Sequence, residues 1–262
     1  ETCPSSATLV NSTMVDQEFV DFYKESKWVF GNVADLKPET IRYIIDAGIE
    51  YSFIEFDYKF CQHRNPVLYN FIEGADCDYA STDHGQLISD FVENSKSTFY
   101  MSEKQREIYQ ELLPGSVNSN TFILSSLFDD SFFDRIKLLN TKYEYVPRND
   151  NWIVLGSNSW VKGALQSESW CKENSLKYEV IFGMEYDQFL KKLAQSKGLC
   201  SLPTGYDTCP RLVIEAKLLG CNLQTNEHVQ HRDEEWFNKP KEDIINYLRT
   251  RKDFFWMHAF NA

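Results

Sequence analysis

The chain has 262 residues, of which 42% are hydrophobic and 25% are charged, a composition typical of a folded protein rather than a disordered one. Its formal net charge of −12 argues against binding to nucleic acid or to an acidic membrane surface, because such binding needs clustered Lys and Arg. No stretch approaches the roughly 18–20 consecutive apolar residues of a membrane span. A small anionic ligand remains compatible with this composition, because its site needs only local positive charge and N–H donors.

Seven cysteines are scattered along the chain without a Cys-x-x-Cys pair, and their odd number argues against a disulfide framework. We therefore expect reduced thiols and a cytoplasmic location. The sequon Asn11-Ser12-Thr13 points the other way, but a single match of this kind is weak evidence. The first residues, Glu1-Thr2-Cys3-Pro4, show neither an initiator Met nor a signal pattern, which is typical of a processed or trimmed chain.

Short β-rich runs alternate with amphipathic stretches in the first half of the chain. The runs predict strands over residues 27–31, 50–55, 97–101 and 121–124. Helices are predicted over 38–47, 86–94 and 130–139, and after Ser102, which can cap a helix with Gln105 as its partner. Residues 57–84 are rich in Asn, Asp, Gly and aromatic side chains, and this segment is predicted to be irregular.

The alternation restarts after a polar segment, residues 140–151, which has no clear period and is predicted to link two lobes. Strands are then predicted over 152–156, 178–182, 199–202 and 222–225. Helices are predicted up to about Asn174 and over 186–196, 210–219 and 241–251. The aromatic run Phe254-Phe255-Trp256 follows the last of these helices.

Repeated strand–helix alternation predicts parallel sheets covered by helices. Two such series predict an α/β protein with two Rossmann-like lobes that face a cleft, the first lobe being reduced. The predicted lobes cover 1–147 and 148–228, and a tail over 229–262 is predicted to pack back on the first lobe. Ligands of such sheets bind outside the carboxyl ends of the strands, and residues 156, 183 and 204–207 are expected on that rim.

The most specific motif lies in residues 202–216, LPTGYDTCPRLVIEA, where Asp207 and Glu215 flank a predicted strand-to-helix turn. Pro210 suits the first turn of a helix, and Arg211 adds positive charge there. The start of a helix offers N–H groups and a positive dipole end to an anion, while carboxylates accept hydrogen bonds from hydroxyls. The simpler interpretation is a capping Asp and a surface Glu.

A second motif, GSNSWVKG at residues 156–163, follows the first predicted strand of the second lobe. Lys162 beside Gly163 can reach a diphosphate as a point charge while the backbone approaches closely. The alternative is a solvated lysine next to a loop glycine, because short motifs often match by chance.

These two motifs resemble a known family. Asp207-x7-Glu215, followed by Ala216 and Gly220, resembles the Glu-x7-Glu segment of retaining GT-B-fold glycosyltransferases of the glycogen-synthase-like group. Residues 156–163 are similar to the Gly-Arg-Leu…Lys-Gly turn of that family. The resemblance covers residues 152–226, whereas the first lobe matches more loosely.

The resemblance implies an enzyme that moves a sugar from a UDP or GDP sugar to a hydroxyl of a glycan, lipid or protein, with retention of configuration. It implies no cofactor and no essential metal. The lobe over 1–147 would be the acceptor side and the lobe over 148–228 would bind the donor.

The resemblance also implies roles for individual residues. Lys162 would hold the donor diphosphate, Asp207 the hydroxyls of the transferred sugar, and Glu215 the ribose. The other implied donor contacts are the turn residues Gly156, Ser157 and Gly163, the nucleobase turn at Gly183 and Met184, and the backbone N–H groups of Thr208, Cys209, Arg211 and Leu212.

The chain departs from the family pattern at two positions. Ser157 stands where the family has Arg, so one diphosphate charge is missing unless Arg211 replaces it. Asp207 is one methylene shorter than the family's Glu, which alters the expected sugar preference.

In the first lobe the densest polar cluster follows the predicted strand at 50–55. Asp57, Lys59, His63 and Arg64 are candidates for the acceptor side, and Asp57 is predicted to be catalytic with Lys162 and Asp207. The alternative is a solvated loop with local ion pairs.

Two further patterns suggest metal sites. Asp76-Cys77-Asp78 spells the Asp-x-Asp of metal-dependent GT-A glycosyltransferases, although no β-rich run leads directly into it. His228 and His231 are three residues apart in a segment predicted to be an exposed loop. A metal-dependent GT-A-type transferase that uses Asp76 and Asp78 is therefore an alternative function. The missing Arg at position 157 and the short first lobe leave a second alternative open, a non-catalytic module that binds a nucleotide sugar or a glycan.

Overall fold

A computed structural model of the chain describes residues 7–118 and 120–261. The expectations for the first four residues and for the thiol of Cys3 lie outside the described residues. In the described part, the strands are β1 (Trp28–Phe30), β2 (Tyr51–Glu55), β3 (Ser97–Tyr100), β4 (Thr121–Ile123), β5 (Trp152–Leu155), β6 (Tyr178–Ile181), β7 (Gly198–Ser201) and β8 (Asn222–Thr225). Each of these eight corresponds to a predicted strand.

The α-helices of the described residues are α1 (Gln17–Phe22), α2 (Pro38–Asp46), α3 (Pro66–Glu73), α4 (Asp83–Glu93), α5 (Glu103–Leu112), α6 (Asp130–Tyr143), α7 (Ala164–Glu173), α8 (Tyr186–Gln195), α9 (Arg211–Leu218) and α10 (Lys241–Asn261). Short 3-10 helices lie at Ser12–Met14, Tyr79–Ser81, Pro114–Ser116, Trp160–Lys162 and Trp236–Asn238. None of the described helices combines the length and the apolar character that crossing a membrane requires.

The chain divides into two compact units. The first unit contains the chain up to Ser125 and the residues from Thr250 onward, and the second unit is Ser126–Arg249. This division lies before the predicted linker at residues 140–151, because α6 packs against α8 and belongs to the core of the second unit. Arg148, inside the predicted linker, donates hydrogen bonds to the carbonyls of Leu193 and Ser196 at 3.3 and 2.8 Å.

The first unit contains a parallel sheet whose strand order, β1-β2-β3-β4, follows the chain. One face of this sheet packs on α4, where Phe91 stacks on Tyr51 with ring centroids 4.4 Å apart. The end of α10 covers the other face. Ser52 donates its hydroxyl to the carbonyl of Ala259 at 2.7 Å, and the rings of Phe99 and Phe255 lie 4.8 Å apart.

The second unit contains a parallel sheet with the order β6-β5-β7-β8. The chain passes from β5 to β6 on one side and later returns to β7 on the other side, which makes a topological switch point beside β5. Loops that leave the carboxyl ends of two such strands diverge and open a crevice there. The prediction of an α/β fold with two parallel Rossmann-like sheets is confirmed.

The segment predicted to be irregular contains helix α3, the 3-10 turn Tyr79–Ser81 and the start of α4, and α3 was not predicted. Asn65 caps it by accepting hydrogen bonds from the N–H groups of Val67 and Leu68, and Gly74 ends it in the left-handed conformation. None of its residues is fully buried, and Phe71 and Ile72 are 66% and 53% exposed. The Asn, Asp and Gly residues around this short helix favour turns and loops, so they outweighed its own start and stop signals in the sequence.

The last helix was predicted to end near residue 251, but α10 continues to Asn261 through the aromatic run. The reason is tertiary contact, because Phe255 is buried against Phe99 in the core of the first unit. The predicted cap at Ser102 is confirmed, since its hydroxyl accepts a hydrogen bond from the N–H of Gln105 at 3.1 Å.

Candidate functional site

Two loops of the second unit meet at the switch point of its sheet. The loop after β5 carries the 3-10 turn Trp160–Lys162, and the loop after β7 leads into α9. Thr204 joins them: its N–H donates to the carbonyl of Val161 at 3.0 Å, and its hydroxyl donates to the carbonyl of Trp160. The two motifs identified in the sequence therefore lie side by side.

Gly163 is required by this close approach. Its backbone is left-handed (φ +59°), and a Cβ atom at this position would lie 1.8 Å from the carbonyl oxygen of Leu202. Ser167 completes the junction, because its hydroxyl donates to the Gly163 carbonyl at 2.9 Å and accepts from the Leu202 N–H at 3.0 Å. Any larger residue at 163 would separate the two loops.

Lys162 and Asp207 face each other from these loops, with Nζ 2.8 Å from Oδ2. The Lys162 side chain is 39% exposed, whereas that of Asp207 is 10% exposed. The backbone of Asp207 is fixed by a short parallel bridge to Val229, in which the Asp207 N–H donates to the carbonyl of His228 at 2.9 Å. A rigid carboxylate thus holds a lysine that solvent can reach.

The start of α9 adds hydrogen-bond donors to the same place. Pro210 precedes the helix and provides no side-chain cap, so the N–H groups of Arg211 and Leu212 have no partner within the helix. These groups, together with the positive end of the helix dipole, favour an anion at this position.

A cavity of about 120 Å³ opens between the loops and the start of α9. It is lined by Leu155, Lys162, Ser167, Cys200, Ser201, Asp207, Cys209, Pro210, Arg211 and Leu212. Five predicted site residues, Lys162, Asp207, Cys209, Arg211 and Leu212, are therefore brought together. The cavity is smaller than the ~300–1,000 Å³ pockets that enclose whole ligands, so it matches a phosphate or part of a sugar.

Glu215 lies one turn further along α9 and is 4% exposed. Tyr186, the first residue of α8, donates its hydroxyl to Glu215 Oε1 at 2.8 Å, and Arg211 Nε lies 4.0 Å from the same oxygen. Burial raises the pKa of Glu215, while the Tyr186 hydrogen bond and the Arg211 charge oppose that rise. Tyr186 was not predicted as a site residue, because 29 residues separate it from Glu215.

Two cavity residues have side-chain contacts that restrict what they can do. The Arg211 guanidinium stacks 4.6 Å from the Phe128 ring centroid, although 54% of its side chain is exposed. Cys209 Sγ lies 2.6 Å from Ser126 Oγ, and burial raises the pKa of this thiol to about 12. Cys209 therefore stays protonated at neutral pH.

The other predicted donor contacts lie outside the cavity lining. Gly156 has the ring of Phe182 directly over it, since a Cβ atom there would lie 2.2 Å from that ring. Ser157 accepts a hydrogen bond from the Ser159 N–H at 3.1 Å. Gly183 is left-handed at φ +57°, and Met184 packs against the core of the second unit. Thr208 follows Asp207 and is buried.

The polar cluster of the first unit is built around a buried ion pair. Lys59 is 3% exposed, and its Nζ lies 2.7 Å from Oε1 of the fully buried Glu55 and 3.4 Å from Asp57 Oδ1. Tyr109 donates its hydroxyl to the other Glu55 oxygen at 2.5 Å. Burial raises the pKa of Glu55, and the Lys59 charge lowers it. Lys59 therefore lies inside the unit, where it orders the segment that carries Asp57.

Three predicted acceptor-side residues are accessible. Arg64 Nη2 lies 2.6 Å from Asp57 Oδ2, and these side chains are 41% and 31% exposed. His63 Nε2 lies 2.9 Å from Glu73 Oε1, with 22% of the His63 side chain exposed. The backbone of Arg64 is in the left-handed region, with a φ of 55°.

The suggested metal sites have other structural roles. Asp78 caps the 3-10 turn at Tyr79–Ser81 through the Ser81 N–H, and Asp76 accepts a hydrogen bond from Asn70 at 3.2 Å. Both aspartates follow the helix α3 rather than a strand. No group of three His, Cys, Asp or Glu side chains among the described residues is arranged to hold a metal ion.

The segment around His231 was predicted to be exposed, and this prediction was wrong. His231 is fully buried against Trp236 and Phe237, with ring centroids 5.7 and 4.7 Å away. Burial lowers the pKa of His231 to about 3, so the ring is neutral. The six cysteines within the described residues are free thiols.

No protein-family model matches the sequence, and the comparison with curated proteins gives no match. Among solved structures, the chain is similar to a UDP-forming α,α-trehalose-phosphate synthase from Burkholderia xenovorans, with a TM-score of 0.53 and 7% identity over 88% of this chain and 72% of that chain. The corresponding synthase from Burkholderia vietnamiensis matches with a TM-score of 0.55 and 8% identity over 87% of this chain and 72% of that chain. The chain has the GT-B-type Rossmann-like fold of these structures.

Proposed function

We propose that the chain is a glycosyltransferase that moves a sugar from a nucleoside-diphosphate sugar to a hydroxyl acceptor, with retention of configuration and without an essential metal. One observation carries the proposal: the Lys162–Asp207 pair and the start of α9 line a single cavity at the switch point of the second sheet. The two structures named above are described as UDP-forming synthases, which favours a nucleotide-sugar donor in the same fold.

The chemical requirement is stabilisation of the diphosphate as it leaves the sugar. Negative charge develops on its oxygens, and preorganised positive groups lower the barrier most effectively. Lys162 provides a full charge, and the N–H groups of Arg211 and Leu212 provide partial charges at the start of α9. These groups perform the task for which other transferases use a metal ion.

Binding of the donor would exchange the partner of Lys162. In the free protein its ammonium group contacts Asp207 at 2.8 Å, and a lysine that is 39% exposed can turn toward a phosphate at low cost. The Asp207 carboxylate is then free to accept hydrogen bonds from sugar hydroxyls. The ion pair therefore keeps both groups in position until the donor arrives.

The remaining roles in this proposal are those that the family resemblance implies. Glu215 would accept hydrogen bonds from the ribose, and the turn at Gly183 and Met184 would contact the base. On the acceptor side, Asp57 and Arg64 are accessible, and we propose Asp57 as the group that orients the acceptor hydroxyl. Its buried neighbour Lys59 would position it rather than contact the acceptor.

Retention and metal independence have separate tests. NMR of the first-formed product would show whether the anomeric configuration of the donor is kept. Activity that is lost in EDTA and restored by Mn²⁺ would contradict the metal-free proposal. It would favour the alternative, a metal-dependent transferase that uses Asp76 and Asp78.

The donor site is tested by thermal shift with UDP, GDP and their glucose sugars. We expect one nucleotide to stabilise the protein, and we expect Lys162→Ala and Glu215→Ala to abolish that shift. Lys172→Ala is the matched control, because Lys172 also pairs with a carboxylate of the second unit, Glu168 at 3.6 Å, on the exposed side of α7. A shift that persists in both site variants would reject the site.

A non-catalytic binding module is the second candidate. Ser157 favours it, because the second positive charge that the resembling family places on the diphosphate is absent and Arg211 is stacked on Phe128. The distinguishing measurement is donor turnover. A protein that binds the nucleotide but neither hydrolyses nor transfers any sugar would be such a module.

A further inference from the structure

Two cysteines of the first unit lie in contact with each other. Cys61 and Cys77 are free thiols, and their side chains share a hydrogen bond. Cys61 is fully buried in a turn, where its N–H donates to the Tyr58 carbonyl at 2.9 Å and its carbonyl accepts from the Arg64 N–H at 2.8 Å. Cys77 is partly exposed. One member of the pair is therefore fixed in the core, and the other can be reached by solvent.

The pair closes the segment that contains α3. An isolated helix of eight residues is marginal in water, and no residue of α3 is fully buried, so packing alone does not hold this helix in place. All of residues 70–76 are exposed, as is Asp78, whereas Cys77 between them is partly buried. The segment therefore returns to the body of the unit through the side chain of Cys77.

Other contacts bring the two ends of this segment together. His63 Nε2 lies 2.9 Å from Glu73 Oε1, and the His63 ring centroid lies 5.4 Å from that of Tyr69. Partial burial and then the neighbouring Cys77 and Cys61 thiols raise the pKa of Tyr69, so this residue of α3 lies near both sulfurs. The approach of the two thiols is therefore a property of the whole segment and not of one side chain.

We propose that Cys61 and Cys77 are a disulfide site whose bond fastens α3 to the first unit, with a small disulfide such as oxidised glutathione as the oxidant. The Cys77 thiolate attacks one glutathione sulfur and releases the first glutathione thiol. The Cys61 thiolate then attacks the Cys77 sulfur of this mixed disulfide and releases the second. Two electrons and two thiol protons pass from the protein to glutathione, and one S–S bond replaces another. The inference does not depend on the proposed function.

The reaction is that of a stable cross-link. Burial and then the hydrogen bond with Cys61 raise the pKa of Cys77 to about 12, so little of this thiol is ionised at neutral pH. Exchange requires the thiolate and is therefore slow, unlike that of a fast redox sensor. A disulfide requires its sulfurs to reach a separation of about 2.0 Å, and two thiols in hydrogen-bond contact start near it.

The second unit contains a comparable pair that differs in one respect. Cys171 and Cys200 also share a side-chain hydrogen bond, but they are 0% and 1% exposed. Because exchange needs access of the oxidant to one of the sulfurs, this pair should stay reduced in the folded protein. The two pairs therefore separate thiol contact from thiol access.

The experiment incubates the full chain with oxidised glutathione, alkylates the remaining thiols and maps unreduced peptides by mass spectrometry. Two of the seven cysteines should escape alkylation, and one linked peptide should join Cys61 to Cys77. Chymotrypsin applied to the folded protein reports on α3, where Phe71 is 66% exposed. Cleavage at Phe71 should slow at least tenfold on oxidation and recover with a reductant, because the cross-link restricts local opening.

Cys77→Ser changes a partly exposed residue and should give no linked peptide and no slowing of cleavage. Cys171→Ala, in the buried pair, is the matched control and should behave as the unchanged protein does. The inference is overturned if the oxidised unchanged protein keeps all its thiols, retains glutathione on Cys77, or links other cysteines. It is also overturned if oxidation slows the cleavage of Cys77→Ser to the same extent.

Discussion

In the part of the chain that the structure describes, each unit contains a parallel sheet of four strands, and the second sheet has a switch point whereas the first does not. In the first sheet the strand order follows the chain, so each connection continues in the same direction. In the second sheet β5 lies between β6 and β7, and the loops that leave it and β7 bracket a cavity. Strand order thus determines which of two similar sheets opens a crevice for a ligand.

The two sheets also differ in the exposure of the lysine–carboxylate ion pairs at the carboxyl ends of their strands. Lys59–Glu55 and Lys162–Asp207 have nearly equal separations, 2.7 and 2.8 Å. The first pair is 3% and 0% exposed, and the second is 39% and 10% exposed. A fully buried pair cannot separate without leaving a bare charge, whereas an open pair can exchange its partner for a ligand. Exposure rather than distance separates a structural pair from a candidate binding pair.

The largest expected effect is on the buried pair. Lys59→Met should lower the free energy of unfolding by about 3–5 kcal/mol, because Glu55 would remain buried without its counter-charge. Urea denaturation followed by circular dichroism measures this. Lys104→Met, at an exposed pair with Glu107, is the control and should change the unfolding free energy by less than about 1 kcal/mol.

The double variant Glu55→Gln/Lys59→Met sharpens the same point. It removes both charges but keeps an acceptor for the Tyr109 hydroxyl, so it should recover much of the lost stability. Unfolding of Lys59→Met at the same urea concentration as the unchanged protein would show that the pair is not structural.

The open pair should behave in the opposite way. Lys162→Ala should reduce sugar transfer by about 10²–10³-fold, as expected for removal of one group that stabilises the leaving diphosphate. Its unfolding free energy should change by less than about 1 kcal/mol, because the lysine is partly exposed. Initial rates and urea curves on the same preparation test both statements, with Lys172→Ala as control. A large loss of stability with unchanged kinetics would reverse the assignment of the two pairs.

The missing charge at Ser157 permits a gain-of-function test. Ser157→Arg should tighten binding of the nucleoside diphosphate about tenfold, because it adds a charged donor beside the cavity. Ser159→Arg adds the same charge two residues further along the loop and should give a smaller gain. Calorimetry at two salt concentrations tests this. If both variants bind the nucleotide equally more tightly, the added charge acts by non-specific attraction and not through a diphosphate contact at position 157.

The smallest expected effect concerns Glu215. Burial raises its pKa in the folded protein, so the folded state binds the proton more tightly than the unfolded state does. That contribution to stability is present at low pH and is lost as the pH rises through the folded-state pKa. At pH 7 Glu215→Gln should therefore stabilise the protein by about 1 kcal/mol, and this gain in stability should shrink toward pH 4. The same variant should bind the nucleotide more weakly.

Thermal melts of Glu215→Gln across that pH range provide the measurement. The buried Glu55 is the informative counterpart, because its pKa is also raised by burial but Lys59 depends on its charge. Glu55→Gln should therefore destabilise the protein at pH 7. If Glu215→Gln and Glu55→Gln change the stability at pH 7 in the same direction, the two buried carboxylates do not differ in the way described.

The sequence predicted the strands and the two site loops, because these features are local. Buried parallel strands are apolar runs such as Trp152–Leu155, and a loop after such a run reaches the carboxyl edge of the sheet. That rule brought Lys162 and Asp207 to the same edge. Their 2.8 Å contact could not be predicted, since 45 residues separate them and the β5–β7 pairing decides the distance.

The features that were not predicted depend on long-range contacts, or belong to a helix that has no fully buried residue. Ser126 meets Cys209 across 83 residues, and no local pattern indicates that pairing. His231 lies in a polar segment, so its burial depends on Trp236 and Phe237 folding over it. The exposed helix α3 carries its start and stop signals, Asn65-Pro66 and Gly74, but it has no buried face to support them.

The closure of the first sheet by α10 has a consequence for the order in which the chain can fold. Ser52 and Ser97 bond to carbonyls of the last helix across 207 and 161 residues, and Phe99 rests on Phe255. The second unit is continuous from Ser126 to Arg249 and can assemble on the ribosome as soon as it emerges. The first unit, although it is translated earlier, keeps one apolar sheet face uncovered until that helix has been made. The core of the first unit is therefore completed last, although most of its residues are synthesised first.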